Sequence, residues 1–535
     1  MPHSADSEFL ISINPSTEQE LGRVPAMRRD DIDDAVARAQ NAFRDWSRRP
    51  IRERQQLLKR LAAVILAEKA NCAALIAAEQ GKPVTEAVLT EIVAVLAILK
   101  NLSRNAHKTL RPHRVRQEQI LFAHKKSSCR FEPYGVVAVI SAWNYPFSVP
   151  LPQIAAALVA GNTVVFKPAP AAVLISQKIC ELFVAAGFPE GVVHVLFIKN
   201  EDAPHLTSHP GVDKIIFTGS TAVGRRVMCA AAEQVTPVVL ELGGKDPAIV
   251  AADADLPRAA KGIVWGAMFN AGQVCASVER VYVERSVADR FIELCLAEIQ
   301  QLTLGDPLNP NTHLGPLSNL GQLNKVEAQL RDALERGARV LYGGYRLKRP
   351  GYFFAPTLLT DVDHTMAIMT EETFGPVLPI MAVDTLDQAV ALANDSSYGL
   401  SAYIWTSNRK TAVRLTDELR AGTVMVNDST SSWGEPNAPW GGMKMSGIGR
   451  TRARFGLEEM VQVKYTADDR GGNRGNPWWY PYDARALKFA HSAVEALYSS
   501  HFAAKTFNLL RVLFNKRFYT TAHWRSVLFN LRKLL

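Results

Sequence analysis

Lys214-Ile215-Ile216-Phe217-Thr218-Gly219-Ser220-Thr221-Ala222-Val223-Gly224 is a short apolar strand that ends in small residues and turns at once into a helix. A strand with so little alternation is expected to be buried on both faces, as in a parallel sheet. The same kind of run recurs at residues 136–140, 163–166, 192–197 and 238–240, with helix-like stretches between. This alternation predicts parallel strands joined by crossover helices. The segment 171–186 shows the helical texture: it is rich in Ala, Ile and Leu, stops at Gly187 and has Pro189 just beyond. A second α/β run begins near Pro247 and continues through 279–283, 322–337, 387–394 and 423–427. Two α/β domains follow. Ahead of them, Ile32, Val36, Ala39, Phe43 and Trp46 fall at steps of four and three and build one apolar helical stripe, with a second helix expected over 52–70.

The chain has 535 residues, 47% hydrophobic and 21% charged, which is enough for more than one core and unlike a disordered composition. Residues 1–10 lack a basic start followed by an apolar stretch, so no secretory signal is read and the cytoplasm is the expected address. Six cysteines stand singly, with no metal-ligand spacing and no disulfide framework, so no metal is expected. Charge is uneven. Residues 470–535 hold eleven Lys or Arg against Asp483 and Glu495, which accounts for the whole formal charge of +9. The basic character therefore describes a tail, and no recognised nucleic-acid module accompanies it.

Three short segments carry the candidate chemistry. At the end of Phe217-Thr218-Gly219-Ser220-Thr221-Ala222-Val223-Gly224, unpaired backbone N–H groups suit a pyrophosphate. The Gly219 to Gly224 spacing is not G-x-G-x-x-G, however, and a ligand-free strand-to-helix turn fits equally well. In Leu240-Glu241-Leu242-Gly243-Gly244-Lys245 a carboxylate ends an apolar strand, where partial desolvation would raise its pKa toward that of a general base. A strand-end helix cap is the bland alternative. In Gly272-Gln273-Val274-Cys275-Ala276-Ser277 a thiol sits among small residues that let a substrate approach, although a lone cysteine also serves simply for packing.

These segments occur in order with Ser141-Ala142-Trp143-Asn144-Tyr145-Pro146-Phe147, Phe166-Lys167-Pro168, Glu371-Glu372-Thr373-Phe374-Gly375-Pro376-Val377, Ser397-Tyr398-Gly399-Leu400 and Pro439-Trp440-Gly441-Gly442-Met443-Lys444-Met445-Ser446-Gly447. Together they resemble the aldehyde dehydrogenase superfamily over about residues 13–465. The resemblance implies an α/β fold of two Rossmann-type parallel-sheet domains, a small bridging and oligomerisation hairpin and a helical C-terminal extension. It places the cofactor-binding domain at 1–111 and 133–242, the catalytic domain at 243–454, the bridging element at 112–132 and 455–468, and the extension at 469–535.

By the same resemblance Cys275 is the nucleophile that forms a thiohemiacetal and then a thioester. Asn144 with the Cys275 N–H is the oxyanion hole, and Glu241 activates the hydrolytic water. Trp143, Lys167, Thr218, Gly219, Ser220, Gly224, Glu372 and Phe374 are the implied cofactor contacts. The cofactor implied is NAD, with NADP left open: Pro170 stands where NAD-preferring relatives commonly carry a glutamate that chelates the ribose, so nothing there repels a 2′-phosphate. A CoA-acylating or a semialdehyde dehydrogenase of the same fold and a catalytically silent scaffold are the rival readings; Glu241 counts against the CoA-acylating enzyme, which commonly lacks the hydrolytic base, and Cys275, Glu241 and Asn144 together count against the scaffold. The segment 117–132 resembles a hairpin that pairs with another subunit, implying a homodimer or homotetramer.

Beyond residue 465 the chain exceeds the family's usual end. Asn476-Pro477-Trp478-Trp479-Tyr480-Pro481-Tyr482 opens this stretch, and Phe507, Leu510, Leu513, Phe514 and Phe518 follow at helical spacing with Lys and Arg between. Such a basic amphipathic pattern suits an anionic membrane surface, and equally an extra helical layer docked on protein. No uncharged stretch approaches the ~18 apolar residues of a membrane span. Family members with C-terminal extensions that handle long-chain aldehydes share this plan, so a lipophilic aldehyde is the expected substrate.

Overall fold

Val136–Ile140 is buried at every position because it runs through the middle of a six-stranded sheet. The order across that sheet is Gly447–Ile448, Val238–Glu241, Lys214–Thr218, Val136–Ile140, Thr163–Lys167 and Val193–Val195. All neighbours are parallel except Gly447–Ile448, which runs antiparallel to Val238–Glu241. The chain moves outward from Val136–Ile140 to Val193–Val195, then crosses back to the other flank for Lys214–Thr218. This reversal opens a crevice beyond the carboxyl ends of Val136–Ile140 and Lys214–Thr218, the place where open α/β sheets take their ligands. Ile32, Val36 and Ala39 of the helix Arg29–Trp46 pack with Ala138, Ile215 and Leu240 on one face of the sheet.

Residues 242–245 alone separate the strand Val238–Glu241 from Asp246–Val250, which opens a second sheet. That sheet has seven strands, in the order Arg339–Tyr342, Thr357–Thr360, Val377–Val383, Val278–Glu284, Asp246–Val250, Ser401–Trp405 and Thr423–Val426. It too is parallel apart from one edge pair, and apolar cores cover both faces. The expected fold of two parallel-sheet α/β layers is therefore the observed one.

The computed structural model describes residues 8–118, 122, 125–469 and 479–513. Both sheets belong to one compact unit, Met1–Thr109 with Pro133–Val461. A second unit comprises Leu110–Glu132 with Gln462–Leu535. Within it, Lys125–Pro133 lies between Val461–Asp469 and His113–Val115 in a three-stranded sheet. Tyr465 donates to Ser127 across that sheet at 2.8 Å, and Lys464 pairs with Glu132 at 2.7 Å. The helices Ala484–Tyr498 and Phe502–Leu513 pack on each other, burying Phe489, Ala493, Ala496 and Val512. Phe507 and Leu510 lie on the second of these helices; residues 476–478, Phe514 and Phe518 fall outside the described residues.

Some boundaries differ from expectation. The helix expected over 52–70 runs Ile51–Gln80, because nothing breaks it before Gly81, which ends it in the left-handed conformation at φ 75°. By length and composition it could cross a membrane, yet Leu58, Leu61, Ile65 and Ile76 are fully buried inside the protein. The segment 171–186 opens with a 3₁₀ turn, Pro170–Ala172, before the helix Val173–Ala185. The run 192–197 supplies only Val193–Val195 as strand.

Candidate active site

Cys275 follows three consecutive residues in left-handed backbone, Asn270 (φ 51°), Ala271 (φ 53°) and Gly272 (φ 72°). For Asn and Ala this conformation is costly and persists only where the surroundings hold it. Here they do. Glu86 accepts the Asn270 N–H at 2.8 Å, and the Asn270 side chain donates to the Asn144 carbonyl at 3.2 Å and the Gln273 carbonyl at 3.1 Å. Asn144 Nδ2 donates to the same Gln273 carbonyl at 3.0 Å, and Gln273 closes the ring by donating to Asn270 O at 3.0 Å. Asn144 and the cysteine loop are thus one hydrogen-bonded unit. One N–H of the Asn144 amide is spent on Gln273; an amide has two.

Glu241 ends the strand Val238–Glu241 and is 4% exposed, with neither carboxylate oxygen hydrogen-bonded among the described residues. Burial pushes its carboxyl well above the usual carboxylate range, against the opposing pull of Arg450 and Arg452. An unpartnered buried carboxylate is costly unless it serves chemistry. The Cys275 thiol is likewise pushed up, first by burial and then by Asp246, Glu241 and Glu372, while the Ala276 N–H favours the thiolate. Gly244 lets the link between the sheets lie against the cysteine loop: a Cβ there would stand 2.4 Å from the Cys275 carbonyl oxygen.

Cys275, Glu241, Asn144, Trp143, Lys167, Thr218, Gly219, Ser220, Glu372 and Phe374 all line one cavity of about 720 Å³ that runs from the crevice of the first sheet. Gly224 is the exception among the expected site residues. It does not line the cavity but seats the helix Thr221–Ala232 on Leu242, whose Cδ2 would be 2.4 Å from an added Cβ.

In the crevice Ser220 caps that helix, accepting from the Val223 N–H. Lys167, 4% exposed, donates to Asn200 at 2.7 Å, and burial lowers its pKa to about 8. Burial, helped by Glu279, pushes Glu372 up to about 7 although the Gly244 N–H donates to it at 3.0 Å. Phe374 meets Trp143 edge-on at 5.6 Å. A helix N-terminus, a buried lysine, a half-buried carboxylate and an aromatic pair strung along one crevice fit a dinucleotide.

Sequence reasoning missed the supports of this arrangement. Glu279 accepts the Thr373 N–H at 2.7 Å and the Phe374 N–H at 2.9 Å, and pairs with the fully buried Lys245 at 2.7 Å. It also missed the aromatic wall on the far side of Cys275. There Trp433 packs against Trp440 at 5.2 Å and Tyr145 at 5.7 Å, with Arg452 over its ring. The signals were Lys245, which ends the quoted Glu241 motif, and Tyr145 and Trp440, which stand in two other quoted motifs; Glu279, Trp433 and Arg452 lie outside every recognised motif.

A dinucleotide crevice leading to a thiol and a buried carboxylate is the layout of an oxidoreductase that works through a covalent intermediate. The chain belongs to the aldehyde dehydrogenase family, whose model matches residues 3–466. It is 39% identical to a probable NADP(+) succinate-semialdehyde dehydrogenase of Sinorhizobium fredii, over 84% of this chain and 91% of that one. It is 37% identical to a chloroplastic aminoaldehyde dehydrogenase of Arabidopsis thaliana, over 88% and 94%. The betaine aldehyde dehydrogenase of Staphylococcus aureus, solved with NAD+, superposes with a TM-score of 0.84 at 31% identity, covering 90% of this chain and 95% of that one.

Proposed function

We propose that the protein oxidises an aldehyde to the carboxylic acid with NAD or NADP, using Cys275 as nucleophile, Asn144 and the Cys275 N–H as oxyanion donors and Glu241 as the base for hydrolysis. The observation that carries this is Glu241, buried and without a hydrogen-bond partner among the described residues, in the same cavity wall as Cys275. The Cys275 thiol gives its proton to water and the thiolate adds to the carbonyl, giving a thiohemiacetal whose oxyanion accepts a hydrogen bond from the second Asn144 N–H. The dinucleotide, when bound, supplies the acceptor for the hydrogen and electron pair that leave the aldehyde carbon. Trp143, Lys167, Thr218, Gly219, Ser220, Glu372 and Phe374, which line the crevice, would hold it. Glu241 then takes a proton from water, the hydroxide adds to the thioester, and the acid leaves as the Cys275 thiol is restored.

Cys275→Ala should abolish turnover. Glu241→Gln should still release one equivalent of reduced nicotinamide per site in a burst, then slow by roughly 10²–10⁴ in the steady state. The wild-type steady-state rate should also rise with pH through the raised Glu241 pKa, since only the carboxylate accepts the proton, and this limb should vanish in Glu241→Gln. Steady-state rates unaffected by Glu241→Gln would remove it as the base.

For the substrate we propose a lipophilic aldehyde, supported by the walls beyond Cys275: Tyr145, Val149, Phe269, Trp433, Trp440 and Leu457. Across unsubstituted alkanals kcat/KM should climb with chain length. A flat or falling series, with betaine aldehyde turned over better than any long alkanal, would exclude it. A homodimer or homotetramer with a cytoplasmic location is the setting proposed for this activity.

A further inference from the structure

Arg452 stands in the wall of the cavity that holds Cys275 and Glu241. Its backbone has φ 65° and Ala453 beside it φ 51°, conformations that non-glycine residues adopt only under constraint. The preceding residue, Thr451, is fixed by two backbone bonds to Trp440, at 2.8 and 2.7 Å. The guanidinium carbon lies 3.3 Å from the centre of the Trp433 ring. Nη1 donates to the Trp433 carbonyl and Nη2 to the Ser148 carbonyl at 3.4 Å.

Both acceptors are neutral. Among the described residues no carboxylate lies within ion-pairing distance of Arg452, although burial is deep enough to lower its pKa to about 9. A guanidinium has five N–H groups, so Arg452 keeps donors to spare. Glu241 in the same cavity wall attracts Arg452 without pairing with it, so a half-buried cation is left with no carboxylate in contact, and a ligand that brings one offsets the cost of its desolvation. The cavity-lining carboxylates, Glu241 and Glu372, already have roles, so a substrate cation would find Arg452 opposing it.

We infer that Arg452 is a specificity-determining residue that binds a carboxylate at the end of the substrate remote from the aldehyde, so that the preferred substrate is an oxo acid with an apolar chain. The aromatic side chains of Trp433, Trp440 and Tyr145 take the chain, and the guanidinium, held flat on Trp433, offers its remaining N–H groups to the acid in the fork geometry that carboxylates fit. This rests on the reading of Cys275 as the nucleophile.

The test compares chain-matched pairs in the full-length protein: hexanal against adipate semialdehyde, and octanal against suberate semialdehyde. For at least one pair the oxo acid should have the higher kcat/KM by roughly 10- to 100-fold. Arg452→Met should bring that ratio toward one, and Arg452→Lys should retain part of it. Equal use of both members of each pair by the wild type, or a preference that survives Arg452→Met, overturns the inference while leaving aldehyde oxidation intact. A second measurement needs no turnover: in Cys275→Ala, quenching of tryptophan fluorescence should show adipate binding more tightly than hexanoate, and Arg452→Met should erase the difference. If neither aldehyde is oxidised yet this binding difference holds, the catalytic reading fails and the anion site stands. If no binding difference is found, the anion site fails.

Discussion

Glu86 shows how a single half-buried acid sets conditions for the nucleophile. It holds the Asn270 N–H and so the left-handed turn before Cys275. Burial pushes its carboxyl from 4.5 up to about 7, against the Asn270 N–H and Lys82. A carboxyl raised in the folded state binds its proton more tightly there than when unfolded, so its contribution is fully present below about pH 4.5 and is lost as pH rises through about 7. Glu86→Gln keeps an acceptor for Asn270 and removes the titration. It should make the protein more stable than wild type above pH 7 by on the order of 3 kcal/mol at most, with the gap closing toward acid pH. Urea unfolding at the two ends of that window decides; an equal gap at both would refute it. Cys275, Glu241 and Asn144 were legible in the sequence because each sits in a local motif. Arg452 was not, because its place depends on Trp433, nineteen positions earlier in the chain, meeting it across a fold with unusual backbone on both sides.

Among the elements, the turn Thr373-Phe374 matters most to the cofactor crevice, and it hangs on Glu279. Phe374 itself has φ 57° and needs that hold. Glu279→Gln would leave the Lys245 ammonium buried without its partner, which typically costs about 3–5 kcal/mol. The variant should unfold at lower denaturant, and its KM for the dinucleotide should rise as the turn relaxes. Wild-type stability with an unchanged cofactor KM would show the pair to be dispensable. The strands were legible because buried parallel strands are plain apolar runs, as at Lys214–Thr218. The far end of the helix Ile51–Gln80 was not, since its continuation through Ala and Leu carries no boundary before Gly81. Pairings such as Lys245 with Glu279 join residues whose neighbours in sequence give no hint of each other.

For the whole molecule, charge is the property with a consequence beyond the active site. The net positive charge resides in residues 470–535, and in the described part Trp479, Tyr480, Tyr482, Phe502 and Phe507 are exposed. We propose that this tail docks on anionic membrane surfaces. The full chain should sediment with phosphatidylserine vesicles at low salt and be released as salt rises, whereas a truncation after Ala467 should stay in the supernatant at every salt. Equal behaviour of the two proteins would remove the tail from any such role.

The span 242–245 has a consequence for how such a chain can vary. Side chains alternate along a strand, so one added residue here would move every side chain of Asp246–Val250 into the core on the opposite face of the sheet, or else pull Gly244 off the Cys275 carbonyl. Insertions tolerated in surface loops are forbidden at this point, and working homologues should therefore hold its length constant while their loops drift.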